Sequence, residues 1–564
     1  MGIDSLGRIV ALFGVGAVLC AGAQQPKPPS SSALTFDDLL TGLKNPVRWP
    51  MYSGDFSAQR HSPLTQITPE NVNRLTPQWT FQTDQSPYMT TGRGGGLQSV
   101  PLEMDGVIYM AGAMGRVFAI DARSGRQIWQ YHRNLPPDVA QATTRAETRG
   151  LAILGNRIYV GTLDAHVVAL NIKTGKEVWD TVMEDYHKFF TVTSAPLVIS
   201  GNRVITGTSG GDRGAYRFFI DSYDAETGKR LWRWYAVPAP GEPGSETWPN
   251  ADAMAKGGGA TWTIGTYDPE LNLIYWGTGN PNGAPDSRMG DNLYTASLVA
   301  LDADTGKLKW YYQVVPHDIH DYDATQTPVL ADVTIAGQPR KVVMLASKVG
   351  YLYVLDRTNG KFLTAHALSE TSTNWAREFG PDGRPILNKD DGTTCLPDIH
   401  GVANYWPSSY DPTQNLFILT THEVCEIFNL PQKGQVPASA GSWTVGGAGY
   451  ASLRAVDPLT GQQKWEYRFP ASDFGLTGVS PTRAGQGISN SGGVISTASN
   501  LVFSGDNEGN FIAFDSRTGK PLWHYQCGSP VWGSAPITYM LDGKQHVVIS
   551  AGMTLTDFAL SDVR

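Results

Sequence analysis

The chain has 564 residues, 41% of them hydrophobic and 17% charged, enough for one large domain or three to four ordinary ones. A formal charge of −8 argues against a basic, phosphate-tracking surface, so no nucleic-acid partner is expected and a small molecule or a protein is the better default. Sixty-two Gly, 36 Pro, 16 Trp and 23 Tyr, with few long helical stretches, point to an all-β chain of short strands joined by tight turns.

In chain order, residues 1–23 carry Arg8, an apolar run from Ile9 and the Ala21-Gly22-Ala23 triplet, the pattern of a signal peptide with its cleavage site. At roughly 15 residues the run is short of the ~20 that a membrane span needs, and no later stretch approaches it. The mature chain is therefore expected to lack a span, and the bulky Leu19 before Cys20 argues against lipidation. Residues 24–45, which begin Gln/Pro/Ser-rich, read as linker and N-terminal segment, and 46–564 as a single domain. Export would place Cys395 and Cys425 in an oxidising compartment, where a disulfide between them is expected and Cys527 is left over.

A repeat then runs through the domain: "AIDARSGRQIW" ending at Trp129, "LNIKTGKEVW" at Trp179, "YDAETGKRLW" at Trp232, "LDADTGKLKW" at Trp310, "LDRTNGKFL" at Leu363, "VDPLTGQQKW" at Trp465 and "FDSRTGKPLW" at Trp523. Each unit reads as strand, turn and strand, the Gly supplying the positive φ of the turn. The turn positions 121, 171, 224, 302, 356, 457 and 515 lie 50 to 101 residues apart, and the shorter spacings suit four-stranded propeller blades. The 101-residue gap has room for a degenerate blade around "SSYDPTQNLFILTTHEV", which would make eight, closed by an N-terminal strand near "LTPQWTFQT". The recurrent Trp is read as packing between blades, so chemistry should sit in the irregular insertions.

Those insertions are the opening stretch, 191–217, 256–283 and 346–360, together with "PHDIHDYDATQ" at 316–326. The last sets three Asp and two His within eight positions, and by itself suits a metal site, an acid/base site or a polar loop. Cavity walls are expected from the long loops 236–256 and 364–400.

Taken together, "WPMYSGDFSAQRHSPLTQITPENVNRL", "YDPELNLIYWGTGNP" and the "TGKxxW" repeats in this order resemble the pyrroloquinoline quinone (PQQ)-dependent alcohol dehydrogenases of the periplasm, the methanol and ethanol dehydrogenase type. The resemblance covers nearly the whole mature chain. It implies an eight-bladed β-propeller with Trp-docking repeats and PQQ on its axis, a periplasmic location, and oxidation of a small primary or secondary alcohol. By the same resemblance Asp321 is the catalytic base, and Asp212, Asn280 and Asp321 hold a metal, with Asp212 standing where the family has Glu. Trp262 is the ring on which the quinone stacks. Thr193, Ser209, Gly210 and Gly211 fall on the cofactor-carboxylate stretch, with Arg149 as a carboxylate partner. Lys348 lies beside the quinone oxygens, and Asn404 is a further polar contact. Cys395 and Cys425 match a family disulfide.

The chemistry of these residue types agrees. A hard cation held by oxygen donors polarises a quinone carbonyl toward hydride, and a carboxylate kept ionised beside it takes the hydroxyl proton. Residues two apart in an extended segment face one side, so Asp323 can reach the same ion as Asp321. The added carboxylate favours a lanthanide(III) ion over Ca²⁺ and resembles the lanthanide-dependent branch of the family. The competing reading makes Asp323 a solvated loop residue or helix cap. His317 and His320 are read as structural. No CxxCH occurs in the sequence, which implies a separate soluble cytochrome c as electron acceptor and leaves a homodimer open.

Departures from the family pattern stand beside this. Thr143 and Thr144 replace its adjacent cysteines, Gln98 a Glu, Ala260 a Thr and Ser491 a Trp. They are compatible with a divergent dehydrogenase of wider pocket, or with a propeller that has lost cofactor binding and serves as a binding or assembly module.

Overall fold

The structure, a computed structural model, describes residues 33–83, 97–143, 146–211, 214–389, 392–428, 433–434, 444–445, 449–470 and 492–561. Residues 1–23, expected to be a signal peptide, lie outside these residues. Eight antiparallel sheets succeed one another as the blades of a propeller. Blades 1 to 7 span 102–132, 152–182, 197–235, 266–313, 329–367, 409–468 and 495–526. Blade 8 is made of residues 537–560 and the N-terminal strand Leu75–Gln82.

Burial orders the four strands within a blade. In blade 1 the strands Leu102–Met104 and Val107–Gly112 are buried throughout, whereas Gln127–His132 is largely exposed. The first strand thus faces the axis and the fourth the rim, and the same gradient recurs in blade 2. The turn between third and fourth strands explains the repeat. In blade 3 Asp224 Oδ1 accepts from Glu226 N at 3.1 Å and Thr227 N at 2.8 Å, and Gly228 takes φ of 70°. That glycine also lies under the Trp of the preceding blade: a Cβ on Gly228 would fall 2.6 Å from Trp179 Cε3. The Trp179 indole N–H donates to Ala225 O at 3.1 Å, and Trp129, Trp232, Trp310 and Trp465 repeat the contact on their own next blades. A large flat ring, a turn without a side chain and one hydrogen bond therefore join neighbouring blades.

Ring closure uses the expected N-terminal strand, in register from Leu75 opposite Leu560 to Gln82 opposite Thr554, and Trp79 there supplies the indole that docks on blade 1 at Ala122 O. One expectation is corrected. The "SSYDPTQNLFILTTHEV" strands, Ser409–Asp411 and Leu416–Glu423, pair with Tyr450–Val456 and Gln463–Arg468, so they are the inner half of blade 6 and not a blade of their own. The 101-residue gap is filled instead by a helix, Glu370–Trp375, a hairpin, Ala376–Phe379 with Pro385–Leu387, and a small sheet containing Leu396–Pro397 and Cys425–Ile427. That sheet carries the Cys395–Cys425 disulfide at 2.01 Å, and Cys527 is free. Among the described residues no helix is long and apolar enough to cross a membrane.

Candidate active site

In a four-stranded antiparallel blade, the entry to the first strand and the loop between second and third strands lie at one end, and the third-to-fourth turns at the other. Sorting the candidate residues by this rule puts all the described ones at a single end. Arg149, Thr193, Trp262, Asp321, Asp323 and Asn404 precede first strands; Ser209, Gly210, Gly211, Asn280 and Lys348 lie between second and third strands. They converge on one open cavity. Asp212 lies outside the described residues.

The loop 316–326 owes its shape to an aspartate that is not at the cavity. Asp318 is buried, and its carboxylate accepts from His320 N at 2.8 Å and Tyr322 N at 2.6 Å, while Arg288 Nη2 donates to its carbonyl at 2.6 Å. Burial pushes the Asp318 carboxyl up, against these donors. The wrapped loop carries Asp321 at φ of 66°, a conformation that Asp tolerates better than most side chains. The two histidines are structural in their contacts. His317 Nδ1 meets Gly290 O at 2.8 Å, and the His320 ring packs on Tyr322 and Phe428.

Asp321 and Asp323 both line the cavity, and Lys348 ties them together. Its buried ammonium lies 2.9 Å from Asp323 Oδ2 and 3.8 Å from Asp321 Oδ1, and donates to Asp321 O at 2.8 Å. The other Asp323 oxygen accepts from the backbone N–H of Asn280 at 2.9 Å. Asp323 is thus a buried, doubly held carboxylate and not a solvated loop residue. Two carboxylates share one ammonium, so the cluster has an excess negative charge that a hard cation would neutralise. Oxygen donors of Asp321, Asp323 and Asn280 suit such an ion, although no group of three or more His, Cys, Asp or Glu positioned for a metal occurs among the described residues.

The opposite wall is aromatic and cationic. Trp262 is half-buried at the cavity, with the Arg149 guanidinium 4.7 Å from its ring centroid and 4.6 Å from that of Tyr405. Arg149 Nη1 donates to Thr193 Oγ1 at 2.6 Å, and Thr193 Oγ1 is 2.6 Å from Ser209 Oγ. The backbone after Ser209 admits only glycine: a Cβ on Gly210, at φ of 110°, would fall 1.7 Å from Phe189 O. Asn404 donates to His400 O at 2.6 Å and accepts from Tyr405 N at 2.7 Å, which fixes the turn behind it. A flat indole, a buried guanidinium and two hydroxyls fit a flat, polyanionic cofactor.

Of the departures, Thr143 and Ala260 line the cavity, and Gln98 is buried with neither amide atom hydrogen-bonded among the described residues. Thr144 and Ser491 lie outside the described residues. The expected walls are also corrected. Loop 236–256 contributes nothing to the lining; its Trp248 packs with Val237 and Met254 in a core of its own. Among the described residues of 364–400 only Ile399 and His400 reach the cavity. Sequence reasoning missed Tyr405, Trp406 and Trp532, all wall residues. The rule that segments entering a first strand line the axis would have found them, since 399–406 and 532 directly precede blades 6 and 8.

Comparison with known proteins agrees with this geometry. The family model "PQQ: Glucose/ethanol/alcohol dehydrogenase, beta-propeller domain" matches residues 49–373 and 438–547. The chain is 35% identical over 577 residues to the quinoprotein alcohol dehydrogenase PedH of Pseudomonas putida, covering 95% of this chain and 90% of that protein. It is 34% identical to the quinohemoprotein alcohol dehydrogenase of Comamonas testosteroni, over 97% of this chain and 79% of that one. Among solved structures, a europium-containing methanol dehydrogenase superposes with a TM-score of 0.82 at 28% identity, covering 93% of this chain and 100% of that one.

Proposed function

Given that the chain belongs to the PQQ-dependent alcohol dehydrogenase family, we propose that it is a periplasmic enzyme oxidising a small primary or secondary alcohol to its carbonyl product, with Asp321 as base and a lanthanide(III) ion beside PQQ. The observation that carries this reading is the meeting of Asp321, Asp323, Asn280, Lys348 and Trp262 around one cavity, although they come from two blade entries and two loops of neighbouring blades. None of them is needed by the blade repeat.

PQQ, when bound, supplies the acceptor for the hydride of the alcohol carbon. The chain's own residues do the rest. The face of Trp262 and the Arg149–Thr193–Ser209 group hold the flat, anionic cofactor. Asn280, Asp321, Asp323 and, outside the described residues, Asp212 are assigned to the metal. Asp321 takes the hydroxyl proton, and the Lys348 ammonium stabilises negative charge that develops next to it. Asp323 adds the carboxylate that favours a trivalent ion, in keeping with the europium-containing neighbour. Electrons then pass to a soluble cytochrome c, since the sequence contains no CxxCH.

Reconstitution of the purified protein with PQQ plus La³⁺ or Ca²⁺, followed by dye-linked oxidation of a panel of alcohols, tests each part. Turnover is expected with La³⁺. Activity with Ca²⁺ alone overturns the lanthanide assignment, and no activity with either ion overturns the dehydrogenase reading and returns the chain to a binding or assembly module.

A further inference from the structure

Next to Lys348 the cavity is bordered by a second titratable chain that the reaction above does not use, on the segment whose Val402 N donates to Lys348 O at 2.9 Å. His400 lines the cavity, about one-third exposed, and its Nδ1 lies 3.1 Å from Asp398 Oδ2. The other oxygen of Asp398 lies 3.2 Å from Nδ1 of His422, whose side chain is fully buried, and accepts from Gly401 N at 3.0 Å. Neither ring nitrogen of His422 has a well-formed hydrogen bond among the described residues, so this imidazole is oriented by the Asp398 charge. The two rings stand edge to face at 6.1 Å with the carboxylate between them.

The segment bearing them is rigidly mounted. Leu396–Pro397 pairs with Cys425–Ile427, the Cys395–Cys425 disulfide closes that sheet, and Ile399 N donates to the buried Glu426 at 3.0 Å. The Tyr322 hydroxyl, from the catalytic loop, donates to Pro397 O. Burial works to protonate Asp398, but the electrostatic pull of the nearby His422 and the hydrogen bond with His400 outweigh it and hold its carboxyl well below the usual carboxylate range. An ionised Asp398 accepts the Nδ1–H of His400, which leaves Nε2 as the free ring nitrogen.

We propose that His400 is a second acid–base group of this site, positioned by Asp398 and His422, and that it carries away the proton released by alcohol oxidation. The inference rests on the dehydrogenase reading. Oxidation splits the carbinol into carbonyl, hydride and proton; the hydride takes both electrons, and the proton passes to Asp321. Before the next turnover Asp321 must be ionised again. The proton moves through water to Nε2 of His400 and from its exposed edge to solvent, with no change in electron count. Because Asp398 accepts Nδ1–H in both the neutral and the protonated ring, proton arrival requires no reorganisation. Asp398 on its own loop, His422 and Glu426 from the adjoining strands, Lys348, whose carbonyl accepts from Val402 N at 2.9 Å, and Asp321, Asp323, Arg149 and Tyr405 at the same cavity are the charged and titratable groups around it.

The test compares the full-length wild type with His400→Ala, His400→Gln and Asp398→Asn. In the protein without cofactor, ¹⁵N NMR of the imidazoles should show neutral His400 protonated at Nδ1, and Asp398→Asn should shift it toward the Nε2–H form. In the PQQ- and metal-loaded enzyme, His400→Ala should lower kcat by about 10-fold or more with KM little changed, should alter the pH profile, and should be rescued by added imidazole. His400→Gln keeps the size of the side chain and should show the same loss without rescue. An Nε2–H wild-type ring, or His400 variants that keep wild-type kcat and pH profile in an active enzyme, overturns the relay and leaves the dehydrogenase reading intact. A loaded wild type that oxidises no alcohol overturns both.

Discussion

At the turn end of blades 3 and 4 an aspartate folds back on its own chain; at the cavity end, aspartates reach across the sequence. Asp224 spends its carboxylate on amides two and three residues ahead and on the Thr227 hydroxyl, and that hydroxyl, with the turn amides, holds its carboxyl below the ordinary range. Asp302 does the same with Thr305. Asp323 is held by Asn280 and Lys348, 43 and 25 residues away, and still borders open space. A carboxylate satisfied by its own turn is a structural part, and removing it costs local stability. One held by distant groups beside a cavity is placed to meet something that enters, which is the role proposed for Asp323.

The sharpest way to break this contrast is at the cavity end. Asp321→Asn should lower alcohol oxidation by about 10³-fold, roughly 4 kcal/mol of barrier, with an unchanged melting temperature. Retention of more than a tenth of wild-type kcat would remove Asp321 from the role of base. Asp323→Ala should abolish lanthanide-supported turnover, and unchanged activity would show that it is not a ligand. At the blade-turn end the readout reverses. Trp310, buried against Gly360 with its N–H on Arg357 O, should cost about 3–5 kcal/mol of stability as Trp310→Ala while leaving kcat per folded molecule unchanged, as denaturant melts and active-site titration would show.

Between these lies the wall of the cavity. Burial, opposed by the Ile399 amide and reinforced by the Asp398 charge, pushes Glu426 up to about 8. Its folded value exceeds the ordinary 4.5, so its contribution to stability is complete below about pH 4.5 and is lost as pH rises toward about 8. Glu426→Gln should flatten that stretch of the stability–pH curve by on the order of 2 kcal/mol; parallel curves for the two proteins would contradict it. The smallest effect belongs to the turn carboxylates: Asp224→Ala should cost about 1 kcal/mol and nothing in turnover.

How much of this was legible follows the same division. The repeat "TGKxxW" named both partners of the interblade contact, because turn Gly and rim Trp recur at constant local spacing. Asp321 and Asp323 do reach one cavity, but not by the extended period-two geometry expected, since Asp321 takes φ of 66° in a wrapped loop; the disulfide was legible from compartment and family likeness. The helper residue Asp318 was not singled out, although it stands in the quoted loop, because nothing local distinguishes a carboxylate that caps amides from one that faces a cavity. The inner half of blade 6 was mistaken for a separate blade because its outer half arrives 27 residues after Glu423, past an inserted sheet.

What the amino-acid sequence determined by itself is therefore the all-β repeat, its seven turn units and the residue types that could do quinone-linked chemistry, since these depend on short-range spacing and side-chain chemistry. Only the tertiary structure decided that Lys348 bridges Asp321 and Asp323, that Arg149 packs against both Trp262 and Tyr405, and that His400, Trp406 and Trp532 complete the wall. A propeller brings its blade entries together at one axis. Residues hundreds of positions apart become neighbours there through ring closure, and no local pattern encodes which side chains then face one another.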